Sequence, residues 1–204
     1  MRKINCFTLI LLFLMLSACG GSSSPGIHAL HSDSVILAFG DSLTHGTGSS
    51  KEAAYPEVLS ELLGGVQVVN AGISGEVSEQ GRVRLIDLLQ IHQPQLVILC
   101  HGGNDLLQRL DRQALKDNLR AMITNIKQQG IDVILVGVPQ PALSLAVPDL
   151  YQHLAEDFQI PYQGDILAKV LADRHLKSDT VHPNGDGYYK IAQALAELIN
   201  QAQL

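Results

Sequence analysis

Val35-Ile36-Leu37-Ala38-Phe39-Gly40-Asp41-Ser42 decides the reading of the fold. Five apolar residues in a row, opened by a β-branched pair and broken by Gly-Asp, are too few for a stable helix. They also lack the alternation of a half-exposed strand, so the run reads as a strand buried on both faces. The pattern returns downstream. Val66 to Val69 is ended by Asn70-Ala71-Gly72, Leu96 to Leu99 by Gly102-Gly103-Asn104-Asp105, and Val133 to Val136 by Gly137 and Pro139. A weaker fifth run lies around Ile160-Pro161-Tyr162.

Amphipathic stretches fill the gaps. Ala54 to Leu63 carries Pro56 in its first turn, where a missing N–H costs nothing. Ser78 to Gln90 spaces Val83, Ile86, Leu89 and Leu85, Leu88 helically. Asp111 to Gln129 sets Leu115, Leu119, Met122, Ile123 and Ile126 on one face before Gly130. Leu150 to Phe158 and Gly185 to Gln201 complete the set. Apolar strands alternating with helices imply an α/β domain, a parallel sheet covered on both faces. There is no internal repeat and no second domain.

The N-terminus has another task. Met1-Arg2-Lys3 is a basic start, and Phe7 to Leu16 is apolar except for Thr8, the length of a signal peptide rather than of a membrane span. Leu16-Ser17-Ala18-Cys19 resembles the lipobox of bacterial lipoproteins, in which cleavage precedes an acylated cysteine. An ordinary signal cleaved nearby, with Cys19 incidental, is the alternative. The reading divides the chain into a signal over 1–18, a lipidated Cys19 with a flexible Gly/Ser tether over 19–34, and one α/β domain over 35–204. It implies an exported protein, anchored to the membrane through its N-terminal lipid. Because Gly20 replaces the Asp associated with inner-membrane retention, the outer membrane facing the periplasm is expected in a Gram-negative host.

Composition narrows the rest. The chain has 204 residues, 46% apolar and 17% charged, with a net charge of −6. Removing the signal leaves 186 residues with 12 basic against 20 acidic side chains, a charge of −8. That acidity argues against a nucleic-acid partner, which needs a basic face. Of 3 cysteines, Cys6 leaves with the signal and Cys19 is acylated, so Cys100 remains as a thiol in a strand pattern and reads as core filler. No Walker A sequence, HExxH or paired CxxC occurs, so neither a nucleotide cofactor nor zinc is implied. Gly46-Thr47-Gly48 has Lys51 where a dinucleotide fingerprint needs glycine, and the G-x-S-x-G elbow is absent.

In open parallel sheets, ligands bind beyond the carboxyl ends of the strands. A 2-1-3 order would bring the turns holding Ser42, Asn70 to Gly75, and Gly102 to Asp105 to one place. Ser42 before a helix start is placed as a nucleophile and needs a base. Asp179-Thr180-Val181-His182-Pro183 offers one: at a three-residue spacing Asp179 can hold one imidazole nitrogen of His182 while the other faces Ser42. His45 is the rival base. Ser42 N–H, Gly75 N–H and the Asn104 amide are the right donors for an oxyanion. Asp41 and Asp105 read as turn-fixing acids and Asn70 as a turn bond, while His101 either lines the site or packs behind it. His28 and His31 read as solvated tether residues.

Taken in order, GDSL (40–43), NAGISGE (70–76), GGND (102–105) and DTVHP (179–183) resemble the SGNH or GDSL hydrolase family over residues 35 to 201. The resemblance implies a three-layer α/β/α flavodoxin-like fold with a sheet of about five strands in the order 2-1-3-4-5. It also implies a catalytic triad of Ser42, Asp179 and His182, with Ser42, Gly75 and Asn104 forming the oxyanion hole and no metal or cofactor. SGEVSEQGRVRL and GGNDLL are most similar to its bacterial periplasmic branch of thioesterase, lysophospholipase and arylesterase activity. The expected function is therefore a serine esterase, expected to be a monomer, acting on a small acyl ester or lipid; a carbohydrate O-deacetylase and a non-catalytic lipid- or partner-binding lipoprotein are the alternatives. Selectivity is expected in the loops 106–109 and 139–148.

Overall fold

The computed structural model describes residues 25–141 and 145–204. Its strands are β1 (Val35–Gly40), β2 (Gln67–Gly72), β3 (Leu96–Cys100), β4 (Asp132–Val136) and β5 (Tyr162–Gln163). They form one parallel sheet in the order β2-β1-β3-β4-β5, as expected for the doubly wound fold. The helices are α1 (Ser42–His45), α2 (Tyr55–Leu62), α3 (Ser78–His92), α4 (Gly103–Leu107), α5 (Arg112–Gln128), α6 (Leu150–Phe158), α7 (Ile166–Ala172) and α8 (Gly185–Ala202).

The continuous apolar runs are central strands. Every residue of β3 is buried, and so is all of β1 after Val35. Strand β2 sits at the edge and is only half-buried; it runs on through Asn70 to Gly72 because Gly40 still pairs with Gly72. On α5 the predicted face of Leu115, Leu119, Met122, Ile123 and Ile126 is buried, and the Asp111 carboxylate caps the helix by accepting Gln113 N–H.

Three expectations change. On α3 the buried stripe is Ser78, Gly81, Leu85 and Leu89, spaced by three, four and four residues, while Val83 and Ile86 are exposed. Helix α7, with Leu167, Val170 and Leu171 in the core, was not read from the sequence. Residues 27–34 were assigned to the tether by composition, yet Ile27 is 1% exposed and bridges to Gln203. Ile27 N–H donates to the Ala202 carbonyl, Leu204 N–H donates to the Ile27 carbonyl, and His28 bonds Asp132 at the start of β4 while its ring stays in solvent. The cause is an apolar Ile27 beside a groove closed by the C-terminus. Residues 1–24, which hold the signal and Cys19, lie outside the described residues.

Candidate active site

Three turns at the carboxyl ends of β1, β2 and β3 meet where the strand order reverses. After β1 the chain turns at Asp41, whose carboxylate accepts Leu43 N–H at 3.0 Å and Gly103 N–H at 3.1 Å. One buried side chain thus fixes the start of α1, where Ser42 sits, to the start of α4, where Asn104 sits. Burial pushes the Asp41 carboxyl above its ordinary range, although the two N–H donors pull it back. After β2, Glu76 N–H donates to the Ile73 carbonyl and closes a turn with Gly75 at φ 84°. That left-handed conformation favours glycine.

The base arrives from the other end of the chain. Ser178 N–H donates to the His182 carbonyl and closes a tight loop before α8. Within it Asp179 Oδ1 accepts Val181 N–H and His182 N–H, both at 2.8 Å, and Oδ2 lies 2.8 Å from His182 Nδ1. His182 Nε2 is 3.0 Å from Ser42 Oγ. Partial burial works against the charged Asp179, but the His182 ring and the two N–H groups outweigh it and hold the carboxyl below its ordinary value. In the tautomer that donates Nδ1–H to Asp179, Nε2 faces Ser42 as an acceptor.

Ser42, Gly75, Asn104 and His182 all line one cleft of about 280 Å³. Among the described residues neither Ser42 N–H nor Gly75 N–H donates to another protein group. Asn104 Nδ2 gives one hydrogen to the Glu76 carbonyl at 2.9 Å, which leaves its second for a ligand. Thr47, Ser74 and Thr180 also line it, but most of the remaining wall is apolar, with Leu43, Leu107, Val138, Pro139, Leu145 and Leu171. Both loops expected to bear on selectivity reach it, through Leu107 and through Pro139, Pro141 and Leu145.

Other predicted residues separate from the site. His45 is exposed on the far side of α1 and lines a different surface recess. Cys100 is buried in β3 beneath the turns. Asn70 accepts Gly72 N–H, and Asp105 accepts the backbone N–H and hydroxyl of Ser78, tying α4 to α3. His101 is fully buried behind the cleft, against Glu76. Glu76 and Arg84 had been given no role: an acid before a helix and a base eight residues on match no helical pairing, so spacing held no signal for them. Among the described residues no group of His, Cys, Asp and Glu is arranged to hold a metal ion.

Residues 38–190 match the model of the GDSL-like Lipase/Acylhydrolase family. The chain is 34% identical over 169 residues to thioesterase 1/protease 1/lysophospholipase L1 of Escherichia coli K12, covering 79% of this chain and 81% of the relative. It is 30% identical over 198 residues to an arylesterase of Vibrio mimicus, covering 92% and 94%. The solved esterase EstA from Pseudoalteromonas sp. shares the fold, with a TM-score of 0.74 at 22% identity over 83% of this chain and 98% of that one.

Proposed function

This chain belongs to the GDSL-like lipase/acylhydrolase family and is a carboxylic ester hydrolase, and from that premise we propose that Ser42, His182 and Asp179 carry the reaction. The carrying observation is the unbroken chain from Asp179 Oδ2 through the His182 ring to Ser42 Oγ, opening on a cleft with three unspent donors. Ser42 Oγ attacks the ester carbonyl carbon as its proton passes to His182 Nε2. The oxyanion is held by Ser42 N–H, Gly75 N–H and Asn104 Nδ2–H. The proton on Nε2 then goes to the leaving oxygen or sulfur, and the acyl group stays on Ser42. A water repeats the steps and releases the acid, with Asp179 keeping one tautomer of His182 throughout.

The substrates are small-molecule or lipid esters. The apolar wall supports an acyl chain over an acetylated sugar, with thioesters, aryl esters and lysophospholipids in range. Ser42→Ala should abolish hydrolysis of p-nitrophenyl butyrate and labelling by a fluorophosphonate; a variant retaining wild-type turnover would refute the assignment.

The N-terminal reading joins this one. Ile27 meets the body near the start of β4 and the end of α8, at the amino ends of the strands, opposite the cleft. A lipid on Cys19 would then hold the protein to an envelope membrane by the pole away from its active site. Cys19→Ser should move the protein from the membrane to the soluble fraction, and continued membrane fractionation would count against the anchor.

A further inference from the structure

Behind the cleft lies a buried cluster that touches none of the reacting atoms. His101 is 0% and Glu76 6% exposed. Gly102 N–H donates to His101 Nδ1 at 2.9 Å, which places the ring N–H on Nε2. That N–H donates to Glu76 Oε2 at 3.0 Å. Arg84 grips the same carboxylate from the other side, Nε at 2.7 Å and Nη2 at 2.6 Å, while lying 4.3 Å over the Phe39 ring. Gly81 makes room for this arrangement, since a Cβ there would lie 2.3 Å from His101 Nε2.

The connections run outward to the donors of the oxyanion hole. Glu76 follows Gly75 directly, and its own carbonyl accepts Asn104 Nδ2–H. His101 begins the turn His101-Gly102-Gly103-Asn104, and its carbonyl is pinned by the Tyr151 hydroxyl at 2.9 Å. The two turns that carry Gly75 and Asn104 are therefore joined twice, once through Glu76 O to Asn104 and once through Glu76 Oε2 to His101. We propose that the His101–Glu76–Arg84 cluster is a positioning group that sets the spacing of Gly75 N–H and Asn104 Nδ2–H around the developing oxyanion. The proposal rests on the reading of Ser42, Gly75 and Asn104 as the reacting site. Preorganised donors act only when they are held where charge appears, so loosening one turn against the other costs turnover while leaving ground-state binding alone.

Two substitutions separate the two bonds of His101. In His101→Asn the side-chain oxygen takes the place of Nδ1 and still accepts Gly102 N–H, but no donor reaches Glu76. In His101→Gln the amide nitrogen takes the place of Nε2 and restores the donor to Glu76. With p-nitrophenyl butyrate well below the melting temperature, His101→Asn is expected to lower kcat by about 10- to 100-fold with KM within about twofold. Its Ki for an alkylboronic acid, which forms a tetrahedral adduct, should rise by the factor that kcat/KM falls. His101→Gln should recover most of both. A cluster that only stabilises the fold would lower the melting temperature of both variants and leave kcat and the boronate Ki unchanged; that outcome, or equal losses in Asn and Gln, overturns the proposal. Should His101→Asn not fold, Arg84→Lys reads the same link from the other side. It keeps the charge but loses the two-pronged grip, so unchanged kcat there overturns the proposal as well. Wild-type labelling by a fluorophosphonate at Ser42 separates the two levels: without it the site reading itself falls, and with it only the cluster is under test.

Discussion

Asp41 shows how much one side chain beside the proposed nucleophile carries. Its two oxygens accept N–H groups from two different turns, Leu43 on one and Gly103 on the other. Asp41→Asn keeps the shape but offers a single acceptor and sets an NH2 against the remaining N–H. A buried donor left without a partner costs about 1–3 kcal/mol. The variant should therefore melt several degrees below wild type, and its kcat should fall because Ser42 and Asn104 are no longer held to a common point. Losing a buried charge works in the opposite direction, and a melting temperature at or above wild type would show that burying the carboxylate costs more than its bonds return. Asn104→Ala makes a cleaner cut: it removes one of the donors proposed for the oxyanion and should lower kcat by about 10²–10³ with little change in KM. Equal losses in KM and none in kcat would place Asn104 in substrate binding instead.

At the scale of elements, stability and turnover come apart. Leu119 lies on the inner face of α5, fully buried and away from the cleft. Leu119→Ala should cost about 2–5 kcal/mol in urea unfolding while leaving kcat at 25 °C within about twofold. A large fall in kcat would mean that α5 helps to hold α3 and α4 in register. The same contrast explains what could be read from sequence. Strands β1, β3 and β4 were legible because burial on both faces leaves an unbroken apolar run, and α5 because its other face is polar. Helix α3 was legible as a helix but not in its orientation: Val83 and Ile86 fit the period as well as Leu85 does. What turns it is Gly81, whose missing side chain lets the helix close on His101, a long-range contact that no local period records. The meeting of Ser42, Gly75, Asn104, Asp179 and His182 at one candidate site was legible because the chemistry proposed for it calls for those residue types at turns. Glu76 and Arg84 were not, since a supporting ion pair can come from any spacing that the fold brings together.

For the whole molecule, the same cluster should shape the response to acid. Burial alone would raise the Glu76 carboxyl, but the Arg84 guanidinium and the His101 N–H outweigh it and hold it at about 2, against an ordinary 4.5. A carboxyl depressed in the folded state binds its proton more readily when unfolded. Its stabilisation is therefore complete above about pH 4.5 and is lost as pH falls through about 2, an amount on the order of 3 kcal/mol. Asp179 has the same sign, but with half its side chain in solvent it adds little. Asp41 has the opposite sign: its raised carboxyl takes a proton more readily in the folded state, which favours folding as pH falls. Glu76 is the larger opposing influence if the folded protein loses stability across this window. Urea unfolding at pH 7, 4.5, 3 and 2 tests it with Glu76→Gln, which cannot titrate. The variant should be less stable at pH 7, change less with pH, and approach wild type near pH 2. Parallel curves for the two proteins would assign the acid limb to other carboxylates and leave Glu76 with its geometric role alone.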